Sequence, residues 1–180
     1  ALQLSADVRA QPFKASAEGT WTSPFDRSRT ASDWTISVRE IDLAGSAGWV
    51  SAVAASLGAD AGEASRHLAG IEGKGEADGR IRVAGGKIDA KGWFQAARVE
   101  VNGVPLRALR AEGKYLGAGS ADRWDARAEG KFGDGAFHVA ASGDGGNGIG
   151  IEGTLERIEI AQVFSLLRRE PLLVLLTLLF

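Results

Sequence analysis

The chain has no cysteine and no methionine, and only two histidines and four prolines in 180 residues. Without cysteine there is no disulfide scaffold and no thiolate metal site. A compartment such as the periplasm stays open, because many proteins there also lack cysteine. No charge of one sign prevails. The net charge is −2, with Lys and Arg interleaved among Asp and Glu, which argues against a nucleic-acid surface or a polyanionic substrate. No signal peptide and no apolar run of full transmembrane length is visible. Residues 171–180 are nearly all apolar but too few to span a bilayer. They read as a truncated helix or an interior strand. The chain starts at Ala1 and stops inside that run, so it reads as a piece of a larger protein. Glycine is abundant instead, at 25 residues, about twice the usual share. With so few prolines and an ordinary apolar fraction, this is neither a collagen nor a disordered composition.

The glycines recur in a phrase. Ala17-Glu18-Gly19-Thr20-Trp21, Ile71-Glu72-Gly73-Lys74-Gly75, Ala90-Lys91-Gly92-Trp93-Phe94, Ala111-Glu112-Gly113-Lys114-Tyr115, Ala128-Glu129-Gly130-Lys131-Phe132 and Ile151-Glu152-Gly153-Thr154-Leu155 are near copies. From Gly73 onward the steps are 19, 21, 17 and 23 residues, about one strand plus its connection. Around these phrases the alternation has period two. From Ile71 to Val83 one face carries Ile71, Gly73, Gly75, Ala77, Gly79, Ile81 and Val83, and the other only charged residues. Trp124 to Phe132 repeats the pattern. Shorter copies run through residues 2–8, 13–21, 34–38, 88–96, 109–115, 137–141 and 149–155. One dry face and one wet face predict an antiparallel sheet. Gly85-Gly86, Asn102-Gly103, Gly133-Asp134-Gly135 and the glycines of 143–148 supply its hairpin turns, giving an up-and-down meander.

A second repeat lies across the first. Ile41, Val99 and Ile158 are 58 and 59 residues apart, and just before each the alternation slips by one position. A slip inside a strand needs a bulge, predicted near Arg39, Arg98 and Arg157. Helix is scarce. Residues 46–57, 60–68 and 161–169 are candidates for two or three short helices. The organisation expected is strands over 1–45, a short helical insertion over 46–69, a β-groove meander over 70–160, and a short helix with an apolar tail over 161–180, all one continuous domain.

No motif carries chemistry. Gly73-Lys74-Gly75 with Gly79 lies within a strand, not after one, so it is not a phosphate loop. Gly145–Gly150 lacks the aspartate and the second copy of a calcium-binding nonapeptide and reads as a turn. His67 and His138 have no ligand or catalytic partner at suitable spacing, and no serine sits in a nucleophile elbow. The expectation is no enzyme, no cofactor and no metal. What remains is the inner face of Gly and Ala flanked by Ile, Val, Leu and aromatics. Glycine repeated in register suits a sharply curved sheet in which a neighbouring aromatic covers each gap. The phrase at Gly75 lacks its large residue, so the wall is expected to be thinnest there. Two readings stay open: a closed sandwich or barrel core, or a curled sheet whose apolar concave face meets a partner, a membrane or a lipid.

Residues 79–106, with the Gly-Gly turn and the run from Gly92-Trp93-Phe94 through Val99-Glu100-Val101-Asn102-Gly103 to Leu106, resemble the AsmA-like family of bacterial envelope proteins, with its TamB and YhdP branches. So does the run Ile151–Leu155 followed by Ile158-Glu159-Ile160-Ala161-Gln162-Val163. The resemblance covers about residues 34–167 and implies a mainly β, taco-shaped β-groove. It implies a periplasm-spanning conduit in a Gram-negative bacterium that guides phospholipid acyl chains between inner and outer membranes. Anchoring to the inner membrane, and contacts with either membrane or its proteins, would come through other parts of the full-length chain. The implied lining is Ile71, Ile81, Val83, Ile88, Phe94, Val99, Val101, Leu109, Tyr115, Phe132, Phe137, Val139, Ile149, Ile151 and Leu155. The alternatives are a structural or adhesive β-repeat with a closed core, a TamB-like role in outer-membrane protein assembly, and a periplasmic enzyme or sugar-binding module. The Asn102-Gly103 reversal argues against a parallel solenoid.

Overall fold

The computed structural model describes residues 1–10, 13–23, 30–46, 70–101, 103–117, 122–144 and 148–158. They form β1 (Leu2–Ala10), β2 (Phe13–Thr22), β3 (Ala31–Asp42), β4 (Ile71–Ala84), β5 (Lys87–Val101), β6 (Val104–Gly117), β7 (Arg123–Phe132), β8 (Gly135–Asp144) and β9 (Gly148–Glu156). The nine strands pair in chain order, each antiparallel to the next. The mainly β, antiparallel meander expected from the alternation is therefore what the chain adopts.

The turns follow from the glycines. Ala84 pairs with Lys87 across Gly85 and Gly86, whose φ angles are 57° and 74°. Two successive left-handed residues make the reversal that matches strand twist, and glycine takes both without a β-carbon clash. The Val101–Val104 and Phe132–Gly135 pairs close two more tight hairpins, each with a left-handed glycine, Gly103 at φ 82° and Gly133 at φ 57°.

The sheet is open and uncurled, and β1 does not pair with β9. The curl is the part of the expectation that the sheet lacks. Two of the glycines meant to kink it, Gly19 and Gly130, and two others, Gly75 and Gly143, are filled from the neighbouring strands. Trp34 covers Gly19, Phe94 covers Gly75, Phe137 covers Gly130 and Trp124 covers Gly143, each ring standing where a β-carbon would be. An aromatic laid on a cross-strand glycine restores packing at that position without bending the strand. The expected thin wall at Gly75 is overturned by the same contact.

Bulges occur at two of the three slips. The β3–β4 register shifts between Val38 and Ile41, with Glu40 at φ 56°. The β4–β5 register shifts opposite Gln95–Arg98. At the third the β8–β9 register is unbroken, and Arg157, one residue past β9, has φ 55° without a bulge in the pairing. A further shift on β6 lies between Arg107 and Arg110, with Ala108 at φ 51°. Its signal was present as Leu106 and Leu109, three residues apart and both buried. Together these irregularities draw a line across the middle strands.

Along that line, and on both sides of it, the apolar residues pack into a cluster that includes Leu43, Ile71, Phe94, Val99, Val101, Leu106, Leu109, Phe132 and Phe137. A single helical turn at 43–46 adds Leu43 to it. Asp42 caps that turn, its Oδ1 accepting from the Gly45 amide at 3.4 Å and its carbonyl from the Ser46 hydroxyl at 2.6 Å. This turn is the helix among the described residues; the other helix candidates lie in 47–69 and 161–169, outside them.

Candidate functional site

The registers place every inner-face residue in rows that run across the strands. One row reads Ala6, Ala17, Ile36, Gly79, Gly92, Gly113, Ala126, Ala141 and Ile151. It crosses the whole sheet and is built almost wholly of Gly and Ala. At about 4.8 Å per strand it is roughly 38 Å long. The next row toward the Gly85-Gly86 turn holds Leu4, Trp34, Ile81, Tyr115, Trp124 and Ile149. The row on the bulge side holds Val8, Val38, Phe94 and Val139. Small residues flanked by large ones make a lane. Its lowest point is at Gly79 and Gly92, where no side chain stands within 4 Å of the place a β-carbon would occupy. A hollow of about 440 Å³ lies there, bordered by Ile36, Val38, Ile81, Phe94 and Tyr115.

The residues expected to line a groove divide between two settings. Ile71, Phe94, Val99, Val101, Leu109, Phe132 and Phe137 are buried in the packed cluster. Val83, Tyr115 and Val139 are half-buried. Ile81, Ile88, Ile149, Ile151 and Leu155 are exposed, at 36–62%. Leu2, Leu4, Val8 and Trp21 are exposed on the same face and were absent from the expected lining. Their signal was the same alternation in residues 2–8 and 13–21. Along the inner rows of the described strands no side chain is charged.

One acid reaches this face from outside the rows. The Tyr115 hydroxyl donates to the carboxylate of Asp122, just ahead of β7, and this bond holds the phenol proton above its usual range. Tyr115 and Trp124 are direct cross-strand partners. The Tyr115 ring lies against Gly117 and the Trp124 ring on Gly143, and both are half-exposed.

The opposite face is a charge lattice. Asp33 binds Arg80 at 2.7 Å and Arg82 at 2.9 Å, and these two hydrogen bonds hold its carboxyl well below the usual carboxylate range. Lys14 meets Glu40 at 2.6 Å. Arg39 meets Asp78 at 3.0 Å and lies over Trp93 at 6.0 Å from the ring centre. His138 stands 3.4 Å from Glu129, its cross-strand partner. A larger hollow of about 580 Å³ on this face is walled by Arg110, Glu112, Arg127, Glu129, His138 and Glu152. Cations and carboxylates alternate around it, so its field largely cancels and it offers no single-sign ligand a site. His67 lies outside the described residues. Among the described residues no group of three His, Asp or Glu could hold a metal ion, and no helix is long and apolar enough to cross a membrane.

The fold and this surface define a class: an open antiparallel meander with one charged face and one apolar face crossed by a lane of small residues. No protein-family model, no curated protein and no solved structure matches the chain.

Proposed function

We propose that the apolar face is a passive track for phospholipid acyl chains, one segment of a conduit across the periplasm of a Gram-negative bacterium that serves outer-membrane biogenesis. The observation that carries this reading is the uncovered lane at Gly79 and Gly92, which lies on a face without charge and beside exposed Ile81 and Ile88. An apolar surface of this extent is stabilised by an apolar occupant. An acyl chain laid in the lane gains up to about 0.8 kcal/mol for each methylene removed from water. The positions along the row are nearly equivalent, so no one of them traps the chain. No bond is made or broken. The lattice on the other face keeps that side in water. Attachment to the inner membrane belongs to other parts of the full-length chain. The packed cluster favours the second reading, a structural repeat with a closed core.

Lipid extraction and mass spectrometry of protein purified without detergent separate the two. Co-purifying phospholipid is expected, with most of it lost in Ile81→Asp and retained in Lys131→Gln on the charged face. Lipid-free protein would leave the structural reading standing.

A further inference from the structure

Resting on the lipid-track reading, we propose that Tyr115, Asp122 and Trp124 form a headgroup site at the edge of the lane, one that selects phospholipids carrying an ammonium group. Tyr115 borders the hollow over Gly79 and Gly92, so a lipid whose chain lies in the hollow brings its headgroup within reach of this residue. Three features of the place suit a cation. Asp122 supplies a carboxylate, joined to the Tyr115 hydroxyl. Tyr115 and Trp124 supply two adjacent, half-exposed rings on neighbouring strands, and the faces of such rings attract a cation. The inner rows themselves carry no charged side chain. An anionic headgroup meets the opposite: a like charge at Asp122 and the negative faces of the rings.

The position is also chemically graded. On one side of this row lies the lane of Gly and Ala; on the other is the Gly85-Gly86 end, where Ile88 is exposed to water. Tyr and Trp suit such a boundary because each joins an apolar body to a polar tip. A zwitterionic lipid would lay its tails in the lane and its ammonium against Asp122 and the two rings. The phosphate would be left toward solvent.

The experiment uses the whole chain incubated with vesicles of equal parts phosphatidylethanolamine and phosphatidylglycerol, followed by re-isolation and mass spectrometry of the bound lipid. The expected bound ratio is about threefold in favour of phosphatidylethanolamine, the size of one partly exposed cation contact. Asp122→Asn brings the ratio to parity while total bound lipid is unchanged. Tyr115→Phe keeps the ring and the carboxylate, so it keeps the preference. A wild-type ratio of one with lipid still bound overturns the headgroup site and leaves the track intact. Equal loss of preference in Asp122→Asn and Tyr115→Phe also overturns it, because a hydrogen bond that only shapes the turn would behave so. If free phosphoethanolamine binds as tightly as the lipid, the ligand is a soluble amine and the assignment to a membrane lipid falls. Protein that takes up neither lipid overturns the track and the site together.

Discussion

The two ends of this sheet are made from the same strands and the same alternation, yet one is packed and the other is open. Toward the bulges, Val99, Leu109 and Leu43 are at most 2% exposed. Toward the Gly85-Gly86 turn, Ile81 and Ile88 on the same two strands as the core residues Ile71 and Val99 are 36% and 39% exposed. The difference is in what fills the rows. Near the bulges large aliphatic residues face one another, Val99 with Leu106 and Ile71 with Val101. Farther along, the rows narrow to Gly and Ala, and a single layer of small residues leaves its larger neighbours half in water. Stability and accessibility are thus assigned to different ends of one element.

The sharpest way to break this comparison is to truncate one aliphatic at each end. Leu109→Ala should cost about 3 kcal/mol in urea unfolding, because the cavity is enclosed. Ile81→Ala should cost less than about 1 kcal/mol, because water already reaches the site. Equal costs would mean that the open end is as tightly packed as the other.

The glycines give a second, smaller contrast. At Gly75 a methyl group would meet the Phe94 ring and the Gln95 carbonyl. Gly75→Ala is therefore expected to destabilise by about 1–3 kcal/mol. At Gly79 the nearest atom is the Lys91 carbonyl oxygen, 3.4 Å away. Gly79→Ala should be neutral or stabilising by about 0.5 kcal/mol, through the lower entropy of the unfolded chain. Thermal melts of the two variants read the difference directly.

The smallest effect lies on the charged face. Hydrogen bonds from Arg80 and Arg82 depress the Asp33 carboxyl below its ordinary value. A depressed acid contributes stability that is fully present above its unfolded pKa and is lost as pH falls through the folded one. Asp33→Asn should therefore flatten the stability curve below about pH 4 and make the variant and the parent converge in strong acid. The pair is exposed, so the change is slight. A steeper acid limb in the variant would show that the lattice carries more than solubility.

Much of this fold could be read along the chain because its determinants are local. The alternation from Ile71 to Val83 is β4, that from Trp124 to Phe132 is β7, and the slips before Ile41 and Val99 are register shifts. Which aromatic covers which glycine could not be read so, because it depends on cross-strand register. Trp34 reaches Gly19, and Phe94 reaches Gly75, from strands whose alignment no local pattern states. The division of the expected lining into buried Val99 and exposed Ile149 failed for the same reason: burial depends on which rows face one another. Asp122 left no trace at all, since a carboxylate next to a turn looks like any solvated residue until Tyr115 is found beside it.

The unbroken chain-order pairing of the strands has a kinetic consequence. Every strand pairing is between a strand and its immediate successor, so apart from the β3–β4 connection the sheet can form hairpin by hairpin with short loops to close, a low-contact-order route for an all-β protein. It can also fray from either margin without disturbing the centre. Such an array is approximately a one-dimensional chain of nearest-neighbour terms, and its length can change by whole hairpins while the remaining strands keep their registers.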